Sequence, residues 1–207
     1  MSPRATSMSP DERRKAIVTA LVPLLVERGG EVSTREIAQA AGIAEGTIFR
    51  VFPDKKSLLL AAAEEAINPA GGQEEFDEAM AGVEGLRDQV VIAATRVLER
   101  MHLTMSVMVA VRPHLMQVFH EEHHQAEKPR MGPPDFVLKA QEDLHQRLTG
   151  LFEPHRDELS VEPEVAAVAL RSLIFGASRP ELGMAALLDA EQIADLLLDG
   201  VLTRGDS

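Results

Sequence analysis

Apolar residues recur every three or four positions along most of the chain, which is the spacing that places them on one face of a helix. Ile17, Leu21, Leu24 and Leu25 show this spacing near the amino end. No long segment alternates apolar and polar residues, as a half-buried strand would. The pattern therefore predicts an all-α protein.

Helix starts are marked by capping sequences. Ser9-Pro10 followed by Glu12 predicts a helix that begins at Pro10, because serine, proline and glutamate suit the N-cap, N1 and N3 positions. Gly29-Gly30 predicts its end, and Pro23 predicts a kink inside it.

The pattern beyond residue 73 predicts further helices, and residues 70–73 predict a linker. The expected helices cover residues 74–81, 86–101, 104–124 with an interruption at Pro113, 134–152, 163–178 and 190–203.

Residues 34–53 have the spacing of a helix-turn-helix. A second capping box at Ser33 and Glu36 starts a short helix, and Gly42 allows a tight turn before a second short helix over residues 44–51. This spacing predicts either a DNA-binding unit or a plain pair of helices.

The charge distribution favours DNA contact at the amino end. The whole chain carries 21 Lys and Arg against 33 Asp and Glu. Residues 1–60 hold 9 basic and 7 acidic residues, a net charge of +2, whereas residues 61–207 hold 12 and 26, a net charge of −14. An asymmetry of this kind indicates that one part of the chain meets nucleic acid.

Residues 41–58, Ala-Gly-Ile-Ala-Glu-Gly-Thr-Ile-Phe-Arg-Val-Phe-Pro-Asp-Lys-Lys-Ser-Leu, resemble the DNA-binding segment of the tetracycline-repressor (TetR) family of bacterial regulators. The resemblance covers about residues 10–60. It implies a DNA-binding domain over residues 1–56 and a helical ligand-binding and dimerisation domain over residues 57–207.

The second short helix is expected to enter the major groove, with Lys55 and Thr34 as candidates for phosphate contact. Lys55 stands near the start of the next helix, where the helix dipole favours an anion. The predicted DNA-binding residues are Thr34, Glu45, Gly46, Thr47, Phe49, Arg50 and Lys55.

Two of these positions depart from the family pattern. Phe49 stands where relatives carry a tyrosine whose hydroxyl commonly binds phosphate, and phenylalanine has no such hydroxyl. Glu45 stands where a basic residue is frequent; it would be repelled by phosphate but can accept a hydrogen bond from cytosine N4.

The resemblance implies a homodimer on a palindromic operator, with a small effector bound in the acidic part of the chain. Dimerisation is expected through the last two helices, where apolar and small residues form stripes. The stripes are Val165, Val168, Ala169, Ser172, Leu173 and Gly176, then Ile193, Leu196, Leu197, Gly200 and Val201. The same residues also suit the core of one subunit.

Methionine-rich middle helices are candidates for a pocket that binds an apolar ligand, although a methionine stripe at helical spacing more often belongs to an ordinary core. The candidate ligand-binding residues are Leu98, Met101, His102, Met105, Met108, Arg112, Phe119 and Phe136.

A metal-based alternative rests on His120-Glu-Glu-His-His124. The run matches the H-E-x-x-H motif of zinc hydrolases, and His120, His123 and His124 are the ligands that a metal-responsive regulator would use. The run is polar throughout, and no third ligand stands at a family spacing, so neither a metal site nor an enzyme is expected.

The remaining features exclude several classes. The chain has no cysteine, which excludes disulfides and thiolate metal sites. No apolar run reaches the length of a membrane span, and no signal peptide is recognisable. A cytoplasmic repressor without a cofactor is expected.

Overall fold

The computed structural model describes residues 9–68, 72–125, 135–178 and 187–201, with side chains described for 9–68, 72–114, 137–178 and 187–200. Within these ranges the regular structure is helical and contains no strand, so the all-α prediction is confirmed. The α-helices there are α1 (Pro10–Arg28), α2 (Thr34–Ala40), α3 (Glu45–Val51), α4 (Lys55–Ile67), α5 (Gln73–Met80), α6 (Leu86–Gln125), α7 (Asp135–Phe152), α8 (Pro163–Ala177) and α9 (Ala190–Val201).

The chain forms two compact units. The first lies within Met1–Ala66 and Ser106–Met131, and the second within Ile67–Met105 and Gly132–Ser207. Compact units and functional domains need not share boundaries, so the functional division predicted after residue 56 stays a prediction.

The first unit is built on one apolar core. Its fully buried side chains come from α1, α2, α3, α4 and the later part of α6, with Phe52 completely enclosed. The α6 residues in this core are Val107 and Val111. Since α2 and α3 have seven residues each, they are too short to be stable alone, and this core holds them in place.

Capping fixes where α1 and α2 begin. Ser9 and Glu12 form a complete capping box, as do Ser33 and Glu36, so both predicted boxes are confirmed. The turn between α2 and α3 contains Gly42 at φ +65°, a backbone conformation that glycine adopts without a steric penalty.

Helix α6 corrects one prediction. The expected break at Pro113 and the expected gap at residues 102–103 are both wrong, because a single helix of 40 residues runs from Leu86 to Gln125. Pro113 cannot donate to the carbonyl of Val109, yet both residues are exposed, so water can satisfy that carbonyl.

A close approach lies where α1 ends. A 3₁₀ turn over Gly29–Glu31 follows α1, and a Cβ added to Gly30 would stand 2.3 Å from the carbonyl oxygen of Ala110 in α6. Only glycine leaves room for that backbone contact.

The second unit has its own core, formed by α5, the first part of α6, α7, α8 and α9. Helices α7, α8 and α9 bury apolar faces there, including Leu148, Phe152, Leu170, Ile174 and Ile193. A 3₁₀ turn over Glu153–Glu158, which the sequence pattern did not predict, links α7 to the segment before α8.

Ion pairs join elements of the second unit at its surface. Arg87 of α6 donates to Asp195 and Glu191 of α9, and these bonds raise the pKa of its guanidinium. No helix in the described part of the chain is both long and apolar enough to cross a membrane.

Candidate nucleic-acid interface

Helices α2 and α3 form the predicted helix-turn-helix. Ile37 and Ala38 of α2 and Ile48 of α3 are buried in the core of the first unit, as their spacing predicted. The amide of Ile43 donates to the carbonyl of Ala38 at 2.9 Å, which closes the turn. One face of each helix is therefore fixed inward, and the other is left to meet a partner.

The outward face of α3 carries Arg50, Phe49 and Glu45, all exposed. Arg50 has no hydrogen bond or ion pair to any described residue. Phe49 has 51% of its surface exposed, an unusual position for an aromatic ring in a chain with only seven phenylalanines. A free guanidinium beside an exposed ring is suited to base edges and phosphate.

Gly46 and Thr47 lie on the same short helix. A Cβ added to Gly46 would meet nothing within 4 Å, so the surface above it is open and allows the backbone to approach a ligand closely. Thr47 is half-buried, and its amide donates to the carbonyl of Ala44 at 2.8 Å.

The two candidates for phosphate contact are both engaged within the protein. The Lys55 ammonium donates to the carbonyl of Gly30 at 3.3 Å. The Thr34 hydroxyl donates to a carboxylate oxygen of Glu45 at 2.5 Å, and this bond links the first residue of α2 to the first residue of α3.

Two further arginines of the first unit were not singled out from the sequence. Arg35 of α2 is exposed and has no partner among the described residues. Arg14 of α1 lies over the buried ring of Phe52, with its guanidinium carbon 4.5 Å from the ring centroid. The signal that would have found them is their position near a helix start, since Arg35 lies inside the Ser33–Glu36 capping box and Arg14 lies one turn into α1.

Local hydrogen bonds define the electrostatics of the helix starts. Bonds from the Ser33 side chain and backbone hold the pKa of Glu36 below its usual value, and Arg28 adds to this effect. The backbone and side chain of Ser57 likewise lower the pKa of Asp54. Both carboxylates are therefore ionised and serve the fold near neutral pH.

The candidate ligand-binding residues divide between the two units. Leu98 and Met101 pack against the core of the second unit, and Met108 packs against that of the first. His102 and Arg112 are exposed and Met105 is half-buried, whereas the side chains of Phe119 and Phe136 lie outside the described residues.

Two polar atoms in the second unit are buried without a described hydrogen-bond partner, Nδ1 of His145 and Oγ1 of Thr149. They stand one helical turn apart on α7, so they lie on the same face. Sequence reasoning missed them, although two polar residues beside the apolar stripe of Leu144, Leu148 and Phe152 were a usable signal.

The proposed metal ligands cannot be placed, because the side chains of His120, His123 and His124 lie outside the described residues. Among the residues that the structure describes, no group of three or more His, Asp or Glu side chains is arranged to hold a metal ion.

The sequence that forms this interface is similar to a known class of proteins. Residues 17–62 match the sequence profile of bacterial regulatory proteins of the tetR family. This match spans α2 and α3 and most of α1 and α4. This match and the relatives below support membership of the TetR family of transcriptional regulators.

Individual relatives agree with that family. The chain is 29% identical over 178 residues to the HTH-type transcriptional repressor KstR of Rhodococcus jostii, and the match covers 84% of this chain and 77% of the repressor.

Two solved structures share the fold. A TetR transcriptional regulator from Streptomyces coelicolor is 21% identical with a TM-score of 0.58, covering 93% of this chain and 99% of that one. A transcriptional regulator from Saccharomonospora viridis, solved with choline, is 19% identical with a TM-score of 0.59, covering 94% and 100%.

Proposed function

We propose that this regulator is a cytoplasmic repressor that binds a palindromic operator as a homodimer and is released by a small effector. The observation that carries the proposal is the outward face of α3, where Arg50 has no described partner and the surface above Gly46 is open. Repression is supported by the relative described as a repressor.

The DNA contacts follow from that face. Helix α3 enters the major groove, Arg50 meets a guanine edge or a phosphate, and Thr47 and Phe49 lie beside it against bases. Phe49 has no hydroxyl for phosphate, but its ring suits the methyl group of thymine. Lys55 reaches phosphate while also bonded to Gly30, since an ammonium has three hydrogens to donate.

Dimerisation is proposed through α8 and α9. Exposed apolar side chains of α8 recur at helical spacing at Val165, Val168 and Phe175, and Leu196 of α9 is 55% exposed. Part of the predicted stripe is wrong, because Ile193 and Leu197 are buried in the core of the second unit. The proposed dimer face is therefore Val165, Val168, Ser172, Phe175, Gly176 and Leu196.

Effector binding is proposed for the second unit. Buried polar atoms are normally hydrogen-bonded, so the unpartnered His145 Nδ1 and Thr149 Oγ1 are suited to the polar group of an otherwise apolar ligand. Leu98 and Met101, which pack against the same core, are proposed to contact its apolar part. The proposal is supported by the regulator of similar fold from Saccharomonospora viridis, whose structure was solved in complex with choline.

A gel-shift assay with DNA fragments that flank the gene for this chain tests the repressor proposal. We expect one fragment to be retarded at low salt and to lose the protein as salt rises, because phosphate contacts are salt-dependent. Arg50→Ala is expected to weaken binding at least tenfold without changing the oligomeric state.

Arg96→Ala is the matched control, since it removes the same charge from an exposed pair with Glu99 in the second unit. This variant should bind as the wild type does. Unchanged affinity in Arg50→Ala would show that α3 is not the helix that contacts DNA. No retarded fragment at all would contradict the proposed function.

A further inference from the structure

The hydrogen bond between Thr34 and Glu45 is a feature that the general binding proposal does not use. The Thr34 hydroxyl donates to one carboxylate oxygen of Glu45, and no other bond to Glu45 is described. A carboxylate offers about four acceptor positions on two oxygens, so one neutral donor leaves most of them free. Glu45 is exposed and keeps this capacity at the surface.

The position of Glu45 restricts what it can accept from. It is the first residue of α3, on the helix that faces the duplex, with exposed Arg50 on the same helix. Phosphate oxygens repel a carboxylate and offer it no hydrogen. The donors in the major groove are the amino groups of cytosine and adenine, and glutamate is suited to cytosine N4.

The bond also changes the interpretation of Thr34. A threonine that donates its single hydroxyl hydrogen to Glu45 has none left for a phosphate oxygen. The bond instead restricts the rotamers of the flexible Glu45 side chain before DNA binds. This lowers the entropic cost when Glu45 contacts a base in a single geometry.

We propose that Glu45 selects a cytosine in each half-site of the operator, and that Thr34 is a positioning residue that holds the Glu45 carboxylate for this contact. The inference rests on the proposed function, because it requires α3 to lie in the major groove. It replaces the prediction of Thr34 as a phosphate contact.

The test is selection from a pool of random 30-base-pair duplexes by the full-length protein, followed by affinity measurements on the enriched site with each base substituted in turn. The variants are Glu45→Gln, Thr34→Val and Thr34→Ser. Glu27→Gln is the matched control, since it removes one exposed carboxylate from α1 of the same unit.

We expect the wild type to enrich a palindrome with one cytosine per half-site that no other base replaces without about a tenfold loss of affinity. Glu45→Gln should shift the preference at that position to adenine, because glutamine pairs with the adenine edge. Thr34→Val should reduce the preference for cytosine several-fold, Thr34→Ser should restore it, and Glu27→Gln should leave it unchanged.

Three results would overturn the assignment. An enriched site that is the same for the wild type and Glu45→Gln would exclude Glu45 as a base contact while leaving the proposed function intact. A uniform loss of affinity for all sequences in Thr34→Val, with the preference for cytosine unchanged, would make Thr34 a phosphate contact. A wild-type protein that enriches no motif would overturn the proposed function together with this inference.

Discussion

At position 149 of α7 a threonine hydroxyl is buried without a hydrogen-bond partner among the described residues. Burying such a group costs free energy that valine, which has nearly the same shape, does not incur. Thr149→Val is therefore expected to raise the free energy of unfolding of the ligand-free protein by about 1 kcal/mol, as measured by urea denaturation.

Thr95 provides the control for this prediction. Its hydroxyl donates to the carbonyl of Val91 at 2.8 Å, so Thr95→Val loses a bond that is made and should give no gain in stability. A Thr149→Val variant that is less stable than the wild type would show that the Thr149 hydroxyl is satisfied in the ligand-free protein.

At the scale of elements, α2 depends on its amino-terminal cap because it has only seven residues. The Ser33 side chain accepts from the amide of Glu36, and the Glu36 carboxylate accepts from the amide of Ser33. Ser33→Ala is expected to lower the free energy of unfolding of the first unit by about 1 kcal/mol in urea denaturation. Ser106→Ala, which removes a hydroxyl from within α6 that bonds to no described residue, should have almost no effect.

The same cap makes the free energy of unfolding depend on pH. Hydrogen bonds from Ser33 lower the pKa of Glu36 in the folded protein from its ordinary value of 4.5. The stabilisation is therefore complete above the pKa of the unfolded chain and is lost as the pH falls through the lowered folded value. We expect the loss of stability below about pH 4.5 to be shallower in Ser33→Ala than in the wild type. Equal slopes for the two proteins would contradict this role of Ser33.

The elements show which structural features could be predicted from sequence. Caps and turns depend on neighbouring residues, so the starts at Ser9 and Ser33 and the turn at Gly42 were predicted correctly. The continuity of α6 through Pro113 was not, because it depends on exposure of the Val109 carbonyl, which no local pattern reveals. The Thr34–Glu45 bond was also hidden, since it joins residues eleven positions apart.

For the whole molecule, the fold class and the DNA-binding segment were predictable, whereas the proposed dimer face and the proposed effector site were not. Apolar stripes on α8 and α9 have the same spacing whether they face a core or a partner. Only the packing distinguishes buried Leu197 from exposed Leu196. The methionine-rich set on α6 is similarly divided between two cores.

Substitutions on the exposed apolar face of α8 test whether the proposed homodimer assembles through it. Replacing both Val168 and Phe175 with glutamate places two charges where apolar surface is proposed to be buried, and we expect analytical ultracentrifugation to show a monomer. Because a single helix-turn-helix contacts few base pairs, the affinity of the monomer for the operator should be at least a hundredfold lower. Leu138→Glu on α7, which is 52% exposed, should stay dimeric. A dimer that survives the double substitution would place the interface elsewhere.

The contact between Gly30 and the Ala110 carbonyl restricts how this protein can evolve. No side chain fits at position 30 while α6 keeps its path, because the obstacle is backbone rather than a movable side chain. A substitution of Gly30 must be accompanied by a shift of α6, so the residue at position 30 and the path of α6 are expected to change together. A lineage that changed its effector by remodelling α6 would inherit that constraint on the chain leading into the helix-turn-helix.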